Sequence, residues 1–202
     1  MGIDLEAVIK AAGYIGLFAI IFAETGLLIG FFLPGDTLLI TAGLLIQTGD
    51  VHLSLWILIP LLTAAAILGD ATGYQIGKHT GPRIFQREDS RFFHRKHLER
   101  AERFYEKHGP KTIVIARFMP IVRTFAPFVA GVGSMPYRVF LLWNVAGAFL
   151  WVGSFIYAGY IFGDLPVVRE NFTLLILGII AVSVMPVVIE AFRAWRAPRA
   201  DT

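Results

Sequence analysis

Four charged residues lie inside stretches of this 202-residue chain that are otherwise almost wholly apolar: Glu24, Asp36, Arg117 and Arg123. The chemistry open to them is narrow. A carboxylate held away from water favours its protonated form, and a nearby guanidinium favours the charged one. Glu24 and Asp36 are therefore candidate proton-binding groups. Guanidinium offers a planar fork of donors that matches a phosphate in bidentate fashion. Arg117 and Arg123, in the run Arg117-Phe-Met-Pro120-Ile-Val-Arg123, are candidate ligands of a phosphate headgroup. The structural alternatives are that Asp36 caps a helix, that Glu24 is an ion-pair partner, and that each arginine only neutralises an acid. Asp70 and Asn144, also set in apolar surroundings, are accessory candidates for the same polar site. Asp70 has a second reading, near the cytoplasmic end of its helix.

The elements that must position these residues are helices in a membrane. The chain is 56% hydrophobic and 16% charged, where soluble domains are about 25% charged. A spanning helix needs roughly 20 apolar residues. Val51–Gly69, extending to Gly77, Val139–Gly163 and residues 171–190 approach or exceed that length. Stretches 13–47 and 112–136 are broken by charge, proline and glycine. A plain spanning helix resists this, since a central charge costs about 2.5–3.5 kcal/mol on insertion scales. Re-entrant hairpins accept it where the freed backbone is buried or lines water. Pro34, Gly35, Pro120 and Pro127 are the expected hinges. Pro34 lacks a donor and Gly35 accepts a positive φ, and the turn would set Asp36 at a helix N-terminus.

Ten of the 18 basic residues lie between Lys78 and Lys111, and Arg193, Arg196 and Arg199 close the chain. The positive-inside rule places both regions in the cytoplasm, beside anionic headgroups rather than nucleic acid. Residues 89–108 carry Phe93, Leu98, Ala101, Phe104 and Tyr105 on one arc and Arg95–Glu99–Arg103 on the other, as an interfacial helix does. The expected organisation is one membrane domain over 1–202. It comprises a first half-repeat 13–77, a cytoplasmic amphipathic segment 78–111, a second half-repeat 112–163, a transmembrane helix 171–190 and a basic tail 191–202.

The halves resemble each other. At a shift of 93, Gly16, Ala23, Glu24 and Pro34 align with Gly109, Ala116, Arg117 and Pro127. At a shift of 86, Gly73-Tyr74-x-x-Gly77 aligns with Gly159-Tyr160-x-x-Gly163. With the orientation above the halves are inverted, a transporter design. The expected fold is thus all-α and integral to the membrane, with two facing re-entrant hairpins in an inverted repeat. Glycines at four-residue spacing, Gly26/Gly30, Gly69/Gly73/Gly77 and Gly159/Gly163, read as faces for close helix packing.

No cysteine is present, which removes disulfide and thiolate chemistry. His52, His79, His94, His97 and His108 fall in loops or on the surface helix, so no metal or other cofactor is expected. The Gly-x-Ser-Gly and His-Glu-x-x-His motifs are absent from the sequence, and no enzyme activity is expected. The N-terminus has no basic n-region, so no signal peptide is expected.

Glu24-Thr-Gly26, Leu33-Pro34-Gly35-Asp36, Gly69-Asp70-x-x-Gly73-Tyr74-x-x-Gly77, Arg117-Phe-x-Pro120-x-x-Arg123 and Ala130-Gly131 together resemble the DedA family, also called the SNARE-associated or VTT-domain family, over roughly 13–165. The resemblance implies facing re-entrant loops and lipid movement across bilayers: undecaprenyl phosphate recycling in bacteria, phospholipid scrambling in eukaryotic relatives, and dependence on the proton motive force in some members. It also implies reliance on two acidic and two arginine positions that match Glu24, Asp36, Arg117 and Arg123. The expected function is a flippase or scramblase of the cytoplasmic membrane for undecaprenyl phosphate or another phospholipid, coupled to protons. A proton-coupled exporter of small molecules or ions and a non-transporting assembly factor are the competing readings. Partners are lipid, protons and, as an open case, a second copy of the chain.

Overall fold

The computed structural model describes residues 5–26, 35–85, 109–133, 135–163 and 165. These form six helices: α1 (Leu5–Gly26), α2 (Gly35–Thr48), α3 (Leu55–Phe85), α4 (Thr112–Ala116), α5 (Pro120–Val132) and α6 (Tyr137–Phe162). Two of them, at Leu55–Gly81 and Tyr137–Phe162, are long and apolar enough to cross a membrane. Pro34, Gly30, the surface-helix residues 89–108 with His94, His97 and His108, and the third expected span 171–190 lie outside the described residues. The segment expected to be cytoplasmic from residue 78 starts differently: residues 78–85 continue α3.

Local chemistry explains where the helices stop. Gly13, at φ 54°, kinks α1. α2 carries Asp36 in its first turn, as expected of a carboxylate near the helix dipole. It ends on Gly49 at φ 81°. The Gly49 N–H donates to Ile46 O at 3.3 Å and the Asp50 N–H to Leu45 O at 3.0 Å, the paired bonds of a Schellman cap. The second broken stretch divides at Pro120. α4 tightens through bonds from the N–H groups of Arg117, Phe118 and Met119 to the carbonyls three residues back. Met119 is then extended (φ −114°, ψ 104°), the conformation that a following proline imposes. Pro120 opens α5, where its missing N–H costs nothing. Pro127 does not act as a break: α5 runs through it. The expected hinge at Pro127 is therefore not one, and Pro120 marks the helix start in this stretch.

Two apolar clusters pack the interior. The larger joins Leu17, Ile21, Leu38, Leu39, Leu58, Leu62, Ala66, Ala148, Val152 and Ile156 from α1, α2, α3 and α6. The smaller joins Tyr74, Ile113, Ala130 and Phe140. On α3, Asp70 lies one turn from Ala66 of the first cluster and one turn from Tyr74 of the second. On α6, Asn144 lies one turn from Phe140 and one from Ala148. Both long helices therefore carry a polar residue between the two apolar layers. Outside, α6 exposes Leu142, Val145, Phe149, Tyr157 and Ile161, and α3 exposes Trp56, Ile57 and Leu68. An apolar exterior of this kind suits hydrocarbon rather than water.

The helices touch through glycine. α2 crosses α6, and α3 crosses α5. A Cβ on Gly43 would collide with the Ile156 carbonyl, and one on Gly159 with the Ile40 carbonyl. A Cβ on Gly77 would collide with the Phe128 carbonyl, and one on Gly131 with the Tyr74 carbonyl. In each of the four contacts the glycine meets the carbonyl three residues before its partner glycine. Gly26 and Gly69 bring α1 equally close to α3: a Cβ on Gly26 would lie 3.0 Å from the Gly69 Cα. The expected packing role of Gly26, Gly69, Gly77 and Gly159 is what the structure displays.

Candidate functional site

The polar residues divide into two clusters that both approach one indole ring. In the first, Arg123 in the first turns of α5 reaches both acids of the first broken stretch. Its Nη1 donates to Asp36 Oδ1 at 2.5 Å, and its Nη2 donates to Glu24 Oε1. Glu24 sits near the end of α1 and is 1% exposed. The side chains of Arg123 and Asp36 are more open, at 11% and 18%. Each carboxylate oxygen used by Arg123 also accepts a neutral donor. The Gly35 N–H donates to Glu24 Oε1 at 3.1 Å, and the Trp151 indole N–H donates to Asp36 Oδ1 at 2.8 Å.

Gly35 serves the site differently from the expectation. It is not in the left-handed region; a Cβ there would overlap the Glu24 carboxyl group. The glycine is needed for close approach, and the carboxylate occupies the volume a side chain would fill.

In the second cluster, Arg117 follows α4 directly. Its Nη2 donates to Asp70 Oδ2 on α3 and to Asn144 Oδ1 on α6. Asn144 in turn donates from Nδ2 to the Ile67 carbonyl at 3.2 Å. Arg117 and Asp70 are each 4% exposed and Asn144 is fully buried. The stem of Arg117 lies against Gly147, whose Cβ would come within 3.0 Å of Arg117 Cδ. Among the described residues, neither Arg117 Nε nor Glu24 Oε2, both buried, has a hydrogen-bond partner.

The structure brings these charged residues together, with partners the sequence did not pair. The repeat alignment pairs Glu24 with Arg117, whereas Arg123 holds both Glu24 and Asp36, and Arg117 belongs to Asp70. Asp70 joins Arg117 in the second cluster. It stands 15 residues into the Leu55–Gly81 span, about 22 Å from its start at 1.5 Å per residue. The two broken stretches do meet, through Arg123. Trp151 and Gly147 were missed. Trp151 Nε1 contacts Asp36, while the Cζ atoms of Arg123 and Arg117 lie 4.8 Å and 6.0 Å from the ring centroid. The available signal was an indole N–H in an apolar run, a donor that needs a partner when buried.

This is the architecture of a membrane protein with ion pairs at the heart of its helical bundle. The VTT domain matches residues 33–161, which include every member of both clusters except Glu24. The chain belongs to the DedA family of VTT-domain membrane proteins. It is 53% identical to protein DedA of Escherichia coli K12 over 184 residues, 91% of this chain and 84% of that protein. It is 43% identical to an uncharacterised membrane protein of Mycobacterium leprae over 192 residues, 95% of this chain and 85% of that one. It is 39% identical to the inner membrane protein YqjA of Escherichia coli K12 over 155 residues, 76% of this chain and 69% of that protein. No solved structure matches it.

Proposed function

We propose that this protein moves a phosphate-bearing lipid across the cytoplasmic membrane, with undecaprenyl phosphate or another phospholipid as cargo and a proton as the coupling ion. The observation that carries this reading is Arg123, a guanidinium shared by two carboxylates at the open side of a cluster buried among apolar helices. A lipid phosphate offers the same fork of acceptor oxygens as the carboxylates it would displace. Its tail can stay in the bilayer along the apolar exterior. Arg117, held by Asp70, adds positive field behind the site.

The charge count supports proton coupling. Glu24, Asp36 and Asp70 bring three negative charges and Arg117 and Arg123 two positive ones, so the described site carries one excess negative charge when all five are ionised. A single proton on Glu24 or Asp36 balances it and weakens the hold on Arg123. The phosphate then supplies the counter-charge that the proton removed. In this reading stretches 13–47 and 112–136 are facing re-entrant hairpins of an inverted repeat, with the basic region after α3 and the C-terminus in the cytoplasm. The inner-membrane naming of the relative YqjA favours the same location.

Reconstitution in liposomes tests the reading. Purified protein is expected to move a labelled undecaprenyl phosphate analogue across the bilayer, faster with an imposed pH gradient, and Arg123→Ala is expected to stop it while still inserting. Equal, gradient-independent movement of labelled phosphatidylethanolamine would indicate scrambling without coupling. Undiminished movement by folded Arg123→Ala would overturn the assignment.

A further inference from the structure

We propose that Trp151 is a positioning residue of the transport site, holding Asp36 by its indole N–H and bearing Arg123 on its ring so that Arg123 can exchange carboxylates for phosphate. The inference rests on the reading of Arg123 as the phosphate ligand. Three observations support it. The indole N–H and Arg123 Nη1 donate to the same oxygen, Asp36 Oδ1, at 2.8 Å and 2.5 Å. When Arg123 leaves, that oxygen keeps a donor, just as Glu24 Oε1 keeps the Gly35 N–H. Each oxygen that Arg123 leaves thus keeps one hydrogen bond in a site where an unsatisfied charged group is costly.

The second observation is the ring. Arg123 Cζ lies 4.8 Å from the Trp151 centroid, within the distance at which an aromatic face attracts a cation. The ring gives the guanidinium a surface to rest on in both the closed and the phosphate-bound arrangement. The third is the residue itself. Trp151 is among the largest fully buried side chains and packs in the main apolar cluster beside Phe155, with ring centroids 6.2 Å apart. Apolar filling alone would be served by phenylalanine, and the indole nitrogen would then be a liability unless paired. The charged groups facing it are Asp36 from α2, Arg123 from α5 and Arg117 after α4, with Glu24 of α1 and Asp70 of α3 reached through the two arginines.

Two arms test this. In proteoliposomes, Trp151→Phe keeps the ring and removes the donor. It is expected to raise the apparent KM for the labelled polyprenyl phosphate by about tenfold while the maximal rate stays within about twofold, as losing one hydrogen bond to a charged group at the open state requires. A KM unchanged from wild type would overturn the proposal. If Arg123→Ala is inactive and Trp151→Phe is unchanged, only the role of Trp151 fails; if Arg123→Ala transports normally, the underlying reading fails. The second arm uses tryptophan emission in the variant Trp56→Phe/Trp143→Phe/Trp195→Phe, which leaves Trp151 alone. Titration with a short-chain phosphatidate is expected to shift its emission in a saturating manner, and Arg123→Ala is expected to remove the shift. Emission that ignores the phosphatidate would overturn the proposal, and this arm decides the matter should Trp151→Phe fail to fold.

Discussion

Arg117 and Arg123 stand six residues apart, lie beside the same indole ring, and are held in opposite ways. Arg123 is divided between two acids from different helices, and each contacted oxygen has a neutral donor in reserve. Arg117 is fixed to Asp70 and Asn144 on the two long helices, deeper, and a single nitrogen serves both. If Arg123 is the phosphate ligand proposed above, the first arrangement is the one that leaves its acids a hydrogen bond when the cation departs. In the proposed transport cycle, two identical side chains in one motif become an exchangeable group and a fixed one, through their partners.

The strongest way to break this contrast is at the fixed cluster. Arg117→Ala should destabilise the protein by about 3–5 kcal/mol, since it leaves Asp70 buried without its counter-charge. Thermal unfolding in detergent would measure this. The double variant Arg117→Met/Asp70→Leu should recover much of the loss, because neither charge then remains. Arg123→Lys addresses the exchangeable cluster. It keeps the charge and loses the fork, so one acid goes unbridged; transport should fall by roughly tenfold or more with the melting temperature little changed. Glu24→Gln should keep the acceptor that faces Gly35 and Arg123 while removing the charge. Its expected effect is a flattened dependence of transport on the imposed pH gradient, read in the same liposomes.

The smallest effects sharpen the comparison. Gly147→Ala would press on the Arg117 stem and should cost about 1 kcal/mol of stability without changing the apparent KM. Gly153, on the same helix, has nothing within 4 Å of the place a methyl group would take. Gly153→Ala should be neutral or stabilising by up to about 1 kcal/mol through helix propensity alone. Equal losses at the two glycines would argue that Gly147 is not there to admit Arg117.

The charges were legible because an ionisable residue in an apolar run is too costly to be incidental. For the same reason Asp70 and Asn144 stood out from their surroundings. The long helices α3 and α6 were legible from run length. Pairing was not, because it depends on the turn at 117–119. That turn sends Arg117 towards α3 and α6, while Pro120 starts a new helix that carries Arg123 towards α1 and α2. Chain alignment is blind to that change of direction, so it did not reveal that Arg123, and not Arg117, holds Glu24. Trp151 was hidden by its hydrophobicity, and Gly43 and Gly131 by the absence of any side chain to read. The close packing of Gly26, Gly69, Gly77 and Gly159 was legible because four-residue glycine spacing has one simple geometric meaning.

The paired glycine crossings have a mechanical consequence. Where Gly43 meets Gly159 and Gly77 meets Gly131, backbone lies directly on backbone, with Cα hydrogens pointing at carbonyl oxygens. Each such contact is worth about 0.5–1 kcal/mol and has a broad optimum. No interlocked side chain has to change rotamer for one helix to slip along the other at these points. At these points alone the crossings act as plain bearings, holding α2 against α6 and α5 against α3, while the packed side chains of the two apolar clusters set the register of the same helices.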